Sequence, residues 1–203
     1  MSKHMTPKQS PLDDSYGQYF LKLESDFHAV ANYTGCAEIN DATCSIEFAQ
    51  QLVCINTECE AVLKKICKII GPKNPADNMG HYKRTILGRF PEIHKAPVRV
   101  NRFHRTVHPF AAWNKAGGRL DWWNAYQDIK HHRDSNFEKA NLKNTLEALS
   151  ALLILELYLY AIVSSNGAEK LGGALLLWAP GMPRLEMAPS SEFLPHLPLH
   201  AKK

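Results

Sequence analysis

An all-α fold is what this sequence of 203 residues predicts. Three observations carry that expectation. Apolar residues recur at helical spacing in four long stretches. Glycine and proline punctuate the ends of those stretches, with Gly35 after the first and Gly71-Pro72 after the second. No internal repeat is present, and no strand alternation runs through the chain.

The elements follow in order. Residues 1–14 are polar, with Pro7 and Pro11, and read as a disordered tail. From Tyr16 a helix is expected, with Tyr19, Phe20, Leu23, Phe27 and Val30 on one face. Thr43 to Ile70 reads as a long helix with a broad apolar stripe that includes Phe48, Leu52, Ile55, Cys59, Val62 and Ile66. A shorter helix is expected between Pro75 and Gly88, with Met79, Tyr82 and Ile86 inward. A long basic connector, Arg89 to Gly118, comes next. It carries three prolines and the Gly117-Gly118 pair, and only PVRVNRF (Pro97–Phe103) alternates like an extended segment. Asp121 is the expected N-cap of a helix from Trp122 to about Asp134. A last helix runs from about Glu138 to Val163. The remainder, 167–203, is apolar and then proline-rich, and is expected to pack irregularly on the helical domain, 15–166. Short connections favour antiparallel neighbours.

The last helix is apolar nearly all round from Leu149 onward. Such a helix must be covered on more than one side. It is either the central helix or the seat of a second subunit, and a symmetric homodimer is expected. Its apolar run, Ala151–Val163, is interrupted by Glu156 and reads as too short to span a membrane. MSKHMTPKQSPLDDSYG has no apolar core, so neither a signal peptide nor a membrane association is expected, and the cytoplasm is the default location.

Charge is unevenly distributed. The net charge is +4, yet residues 1–70 carry nine acids against six lysines. Residues 81–108 carry seven Lys/Arg against one acid, Glu92. Those cations, interleaved with Phe90, Phe103 and Phe110, fit a groove that tracks phosphates, with Arg99, Arg102 and Arg105 as candidate RNA contacts. They fit equally a basic surface complementary to the acidic N-terminal helices. The five cysteines are odd in number and lack zinc-ligand spacing, so reduced thiols and no metal site are expected. No P-loop, GxGxxG, GxSxG or HExxH occurs, and no cofactor is expected.

The stretch WWNAYQDIKHHRDSNF (Trp122–Phe137) concentrates the candidate chemistry. On a helix, Trp122, Ala125, Tyr126, Ile129 and the stem of Arg133 share the core face. Gln127, His131 and His132 lie on the other side. As plain structure, Lys130 to Arg133 is a solvated basic face. As a site, His131 is a general acid and base, Lys130 and Arg133 hold a phosphate, Gln127 orients, and His132 adds an RNA contact. That set suffices for metal-independent RNA cleavage, and equally for RNA or nucleotide binding.

YQDIKHHR (Tyr126–Arg133), NFEKANLKNTLEALSALLILELYLY (Asn136–Tyr160) and ECEAVLKKIC (Glu58–Cys67) together resemble the HEPN superfamily over residues 16–163. The resemblance implies a HEPN-like helical bundle that dimerises. It also implies an RNA-directed protein, either a metal-independent endoribonuclease of a toxin–antitoxin or phage-defence system or a non-catalytic module binding RNA, a nucleotide or a protein partner such as an antitoxin. The family's site is an arginine, a polar residue directly after it, and a histidine four to six residues beyond the arginine, joined across two subunits. Here Tyr126 falls at the arginine, Gln127 at the polar residue and His131 at the histidine. A second match in residue type, Arg102 to His108, lies in the connector.

Overall fold

The computed structural model describes residues 15–100 and 105–163, and the backbone of Leu185–Met187. The expectations for residues 1–14, for Arg102 and Phe103, and for the rest of the tail lie outside these residues. The described chain is dominated by α1 (Ser15–Thr34), α2 (Ile46–Ile70), α3 (Met79–Arg89), α4 (Asp121–Asn136) and α5 (Leu142–Val163).

The helices bury most of the faces their spacing predicts, although Tyr19 of α1 is exposed and Val30 only half-buried. In α1, Phe20, Leu23, Phe27 and Ala31 are buried. The helix ends where Gly35 adopts φ 67° and its N–H returns to the Ala31 carbonyl at 2.6 Å. In α2 the first turn is capped by Ser45, whose hydroxyl accepts from the Phe48 N–H at 3.0 Å. The helix therefore starts at Ile46 rather than Thr43. In α3, Tyr82 and Ile86 are buried and Met79 is half-buried.

The centre of the bundle is the pair α2–α5. Segments just ahead of both helices are hydrogen-bonded to each other. Ser45 N–H reaches the Ala140 carbonyl at 3.2 Å, and Leu142 N–H reaches the Thr43 carbonyl at 2.9 Å. Further along, Cys59 Sγ contacts the Ala148 carbonyl, and Glu58 lies within electrostatic reach of Glu156. The two helices therefore start together and run in the same sense, which the long chain between them permits. Asn141 caps α5, its side-chain oxygen accepting from the Asn144 N–H at 2.9 Å. Glu138 and Lys139, expected to begin this helix, belong instead to a separate short 3-10 turn, Phe137–Lys139.

α5 is buried from Leu142 through Leu155 except on one polar edge, and α1, α2 and α4 supply the cover. Its apolar girth up to Leu155 is thus satisfied within one chain. Each wholly buried leucine there contributes about 1.5–3 kcal/mol of apolar burial. Leu157, Tyr158, Tyr160 and Ile162 are only half-covered. At 22 residues α5 is long and apolar enough to cross a membrane, which corrects the shorter reading of the run, but most of it lies inside the bundle.

The connector is folded rather than irregular. After a 3-10 turn, Pro91–Lys95, comes β1 (Val98–Val100), which pairs antiparallel with β2 (Arg105–Val107) on one side and with β3 (Leu185–Met187) on the other. Strand alternation buries Val98, Val100 and Val107. A second 3-10 turn, Ala111–Asn114, seats Trp113 beside Phe110 at 4.8 Å between ring centroids. β1 falls within the segment expected to be extended, whereas β2 was not legible, because three residues are too few for an alternation to show.

Candidate functional site

α4 carries most of the predicted site. Leu120, not Asp121, occupies its N-cap, and no side chain caps the helix there. Trp122, Ala125, Tyr126 and Ile129 are buried, as their spacing predicts. The Trp122 indole N–H donates to the Pro109 carbonyl at 2.9 Å. Regular helix stops at His132, where φ is −145° and ψ is 46°. The side chains of Ser135 and Asn136 both donate to the His132 carbonyl, at 3.3 and 2.9 Å. Short polar side chains compete in this way with the helical hydrogen bonds. The projection that places the stem of Arg133 on the core face assumes an unbroken helix, so it fails, and Arg133 is exposed.

The break leaves Lys130, His131 and Arg133 along one wall of a groove between α2 and α4, with a volume of about 1010 Å³. Gln50, Val53 and Cys54 form the opposite wall, and Asp134 is the acid at the edge. His131 and Arg133 are exposed, and neither is ion-paired with a described carboxylate. His132 is exposed at the break, its ring 6.4 Å from that of His131.

Two members of the predicted set behave differently. Tyr126 is 2% exposed, so it is a core residue. Its hydroxyl accepts from Lys130 Nζ at 3.2 Å, and the same ammonium lies 5.4 Å from the ring centroid. Lys130 is therefore drawn back over Tyr126. Gln127 is half-buried and outside the groove wall. The described hydrogen bonds of this region link Lys130 to Tyr126 and Lys139 to Asp128, and none joins Gln127 to His131.

The connector cations separate too. Arg99 is exposed on β1, opposite Thr106 in register. Arg105, expected as an RNA contact, is turned inward instead. Its guanidinium forks onto Asp41 at 2.5 and 2.9 Å and bonds the Cys36 carbonyl at 3.3 Å, and its side chain is 7% exposed. This is the internal complementarity with the acidic N-terminal third that the charge pattern also allowed. The stacking role of Phe90 and Phe110 fails because both are buried.

The sequence reading missed a second concavity. Lys83 and Arg84 of α3, Lys115 and Arg119 of the turn before α4, and Trp123 of α4 share a cleft of about 670 Å³. Its only legible signal was the Gly117-Gly118 pair after a cluster of cations.

No family model, curated protein or solved structure matches the chain.

Proposed function

We propose that this chain is an RNA-directed, HEPN-like helical protein that grips the phosphate backbone through the α2–α4 groove and binds RNA without cutting it. The observation that carries the reading is the alignment of Lys130, His131 and Arg133 on one concave wall, with His131 and Arg133 exposed and free of described ion pairs. Cations so placed attract a polyanion and release its counterions on binding. The absence of cleavage follows from Tyr126. At the position where the resemblance calls for an arginine, the structure has a buried phenol. An arginine fork binds two phosphate oxygens at once, whereas Lys130 is a single point charge held against the tyrosine. A homodimer and a cytoplasmic location belong to the same proposal, as does a protein partner.

One observation favours the catalytic alternative. His131 is exposed beside two cations, and an imidazole so placed is able to take a proton from a ribose hydroxyl or return one to a leaving oxygen. Total RNA incubated with the protein in EDTA, beside a His131→Ala variant, decides between them. Intact RNA in both reactions, together with filter binding that weakens between about 50 mM and about 200 mM salt, supports the binder. Cleavage by the parent and not by the variant establishes the nuclease. Neither cleavage nor salt-sensitive binding sinks both readings.

A further inference from the structure

The cleft between α3 and the start of α4 gathers four cations and no acid in its lining. Elsewhere among the described residues five cations are held in ion pairs. Lys22 pairs with Asp26, Lys64 with Glu60, Lys95 with Glu92, Arg105 with Asp41 and Lys139 with Asp128. Lys83, Arg84, Lys115 and Arg119 all face one cavity whose lining contains no aspartate or glutamate. None of the four is in an ion pair with a described carboxylate.

Their placement is fixed by the fold. Lys83 Nζ donates to the carbonyls of Lys115 and Gly118, at 2.9 and 3.3 Å. Neutral carbonyls orient the ammonium without cancelling its charge. They also tie α3 to the turn that carries Lys115 and Arg119. That turn is tightly seated. Gly117 has φ +72°, and a Cβ on Gly118 would stand 1.7 Å from the Ala112 carbonyl oxygen. Four like charges lining one cavity repel one another, and an anion in the cleft relieves that repulsion.

The remaining wall is aromatic and apolar. Trp123 is half-buried and lines the cleft with Leu87. Its indole is held edge-on to Trp122, at 6.1 Å and 87°, and tilted against Tyr126 at 5.2 Å. A ring immobilised on two sides and open on the third is a platform for a planar ligand. The volume falls within the roughly 300–1,000 Å³ of small-ligand sites.

We propose that this cleft binds a phosphorylated nucleotide unit, with its phosphate between Arg84 and Arg119 and its base against Trp123. The unit is either a free nucleotide or the phosphorylated end of an RNA strand, since both present the same groups. The site is separate from the α2–α4 groove and does not rest on the RNA-binding reading.

Calorimetric titration of the full chain tests it with four probes: ADP, adenosine, and a pentaribonucleotide with and without a 5′-phosphate. ADP or the phosphorylated strand is expected to bind at least tenfold tighter than its unphosphorylated counterpart, and which of the two binds identifies the source. Arg84→Gln/Arg119→Gln, both surface positions, is expected to weaken that binding at least tenfold with an unchanged melting curve. Trp123→Leu is expected to weaken ADP and adenosine together, and His131→Ala/Arg133→Gln to leave ADP binding as it was. The proposal is overturned if neither phosphorylated probe binds with a Kd below about 1 mM. It is also overturned if the double arginine variant binds as the parent does, or if binding is lost with His131 and Arg133 instead.

Discussion

Glu156 stands in the most apolar part of α5, is fully buried, and has no described hydrogen-bond partner at either carboxyl oxygen. Burial first, and then the nearby Glu58, push its carboxyl up to about 8. The folded state therefore holds this proton at pH values where the unfolded chain, near 4.5, has released it. No penalty exists below that lower value. Stability is lost as pH climbs from about 4.5 toward 8, at up to about 1.4 kcal/mol per pH unit, and levels off above. Replacing Glu156 with Met removes both the titration and the buried polar oxygens. Urea unfolding at pH 5 and pH 8 should show Glu156→Met gaining several kcal/mol over the parent at the higher pH and much less at the lower. An equal gain at both would show that Glu156 finds a partner in the folded protein. Arg105 is the opposite kind of buried charge, because its fork is filled by Asp41. Arg105→Met should cost about 3 kcal/mol, since Asp41 loses its partner, and Asp41→Asn/Arg105→Met should recover part of that loss. Additive single effects would mean that the two residues act independently.

The helices were legible because their signal is long. A stripe such as Phe48 to Ile66 repeats over several turns, and only a helix buries it on one side. The pairing of α2 with α5 was not legible. It depends on hydrogen bonds between residues 43–45 and 140–142, about a hundred positions apart, and neither segment has a pattern of its own. The break at His132 was hidden for the same reason, since Ser135 and Asn136 compete with the helix locally while the apolar period runs on to Ile129 undisturbed. The candidate contact whose environment depends on such a join was misjudged: Arg105 is an internal partner of Asp41, whereas Tyr126 lies on the core face that its spacing predicts. Two substitutions test the joins. Asn141→Ala removes the cap of α5 and should lower stability by about 1 kcal/mol in a denaturant melt, with the fold intact. Gly118→Ala should do more harm, because the new methyl meets backbone rather than a movable side chain. A melting temperature within a degree or so of the parent would show that the turn yields easily.

Across the whole molecule, net charge says little about where a polyanion would sit. The chain is only +4, and two connector cations, Lys95 and Arg105, are spent on local or internal pairs. Two basic concavities are separate from one another: the groove with His131 and Arg133 toward the end of α4, and the cleft with Arg84 and Arg119 at its start. The cysteines can tell them apart. Cys36, Cys59 and Cys67 are buried, whereas Cys44 and Cys54 are exposed, and Cys54 alone of the five lies in the groove wall. A thiol reacts only when reagent can reach it, so brief iodoacetamide treatment should modify Cys44 and Cys54 and spare the rest. A single-stranded RNA seated in the groove should slow Cys54 several-fold and leave Cys44 unchanged, and raising the salt to about 200 mM should restore the Cys54 rate. ADP in the second cleft should alter neither. Peptide mass analysis of the labelled protein reads all five sites at once. Equal slowing of Cys44 and Cys54 would indicate that RNA coats the surface without choosing the groove. An unchanged Cys54 at saturating RNA would place the RNA elsewhere, and simultaneous loss of RNA binding in Arg84→Gln/Arg119→Gln would then move the whole RNA-binding proposal to the cleft at the start of α4.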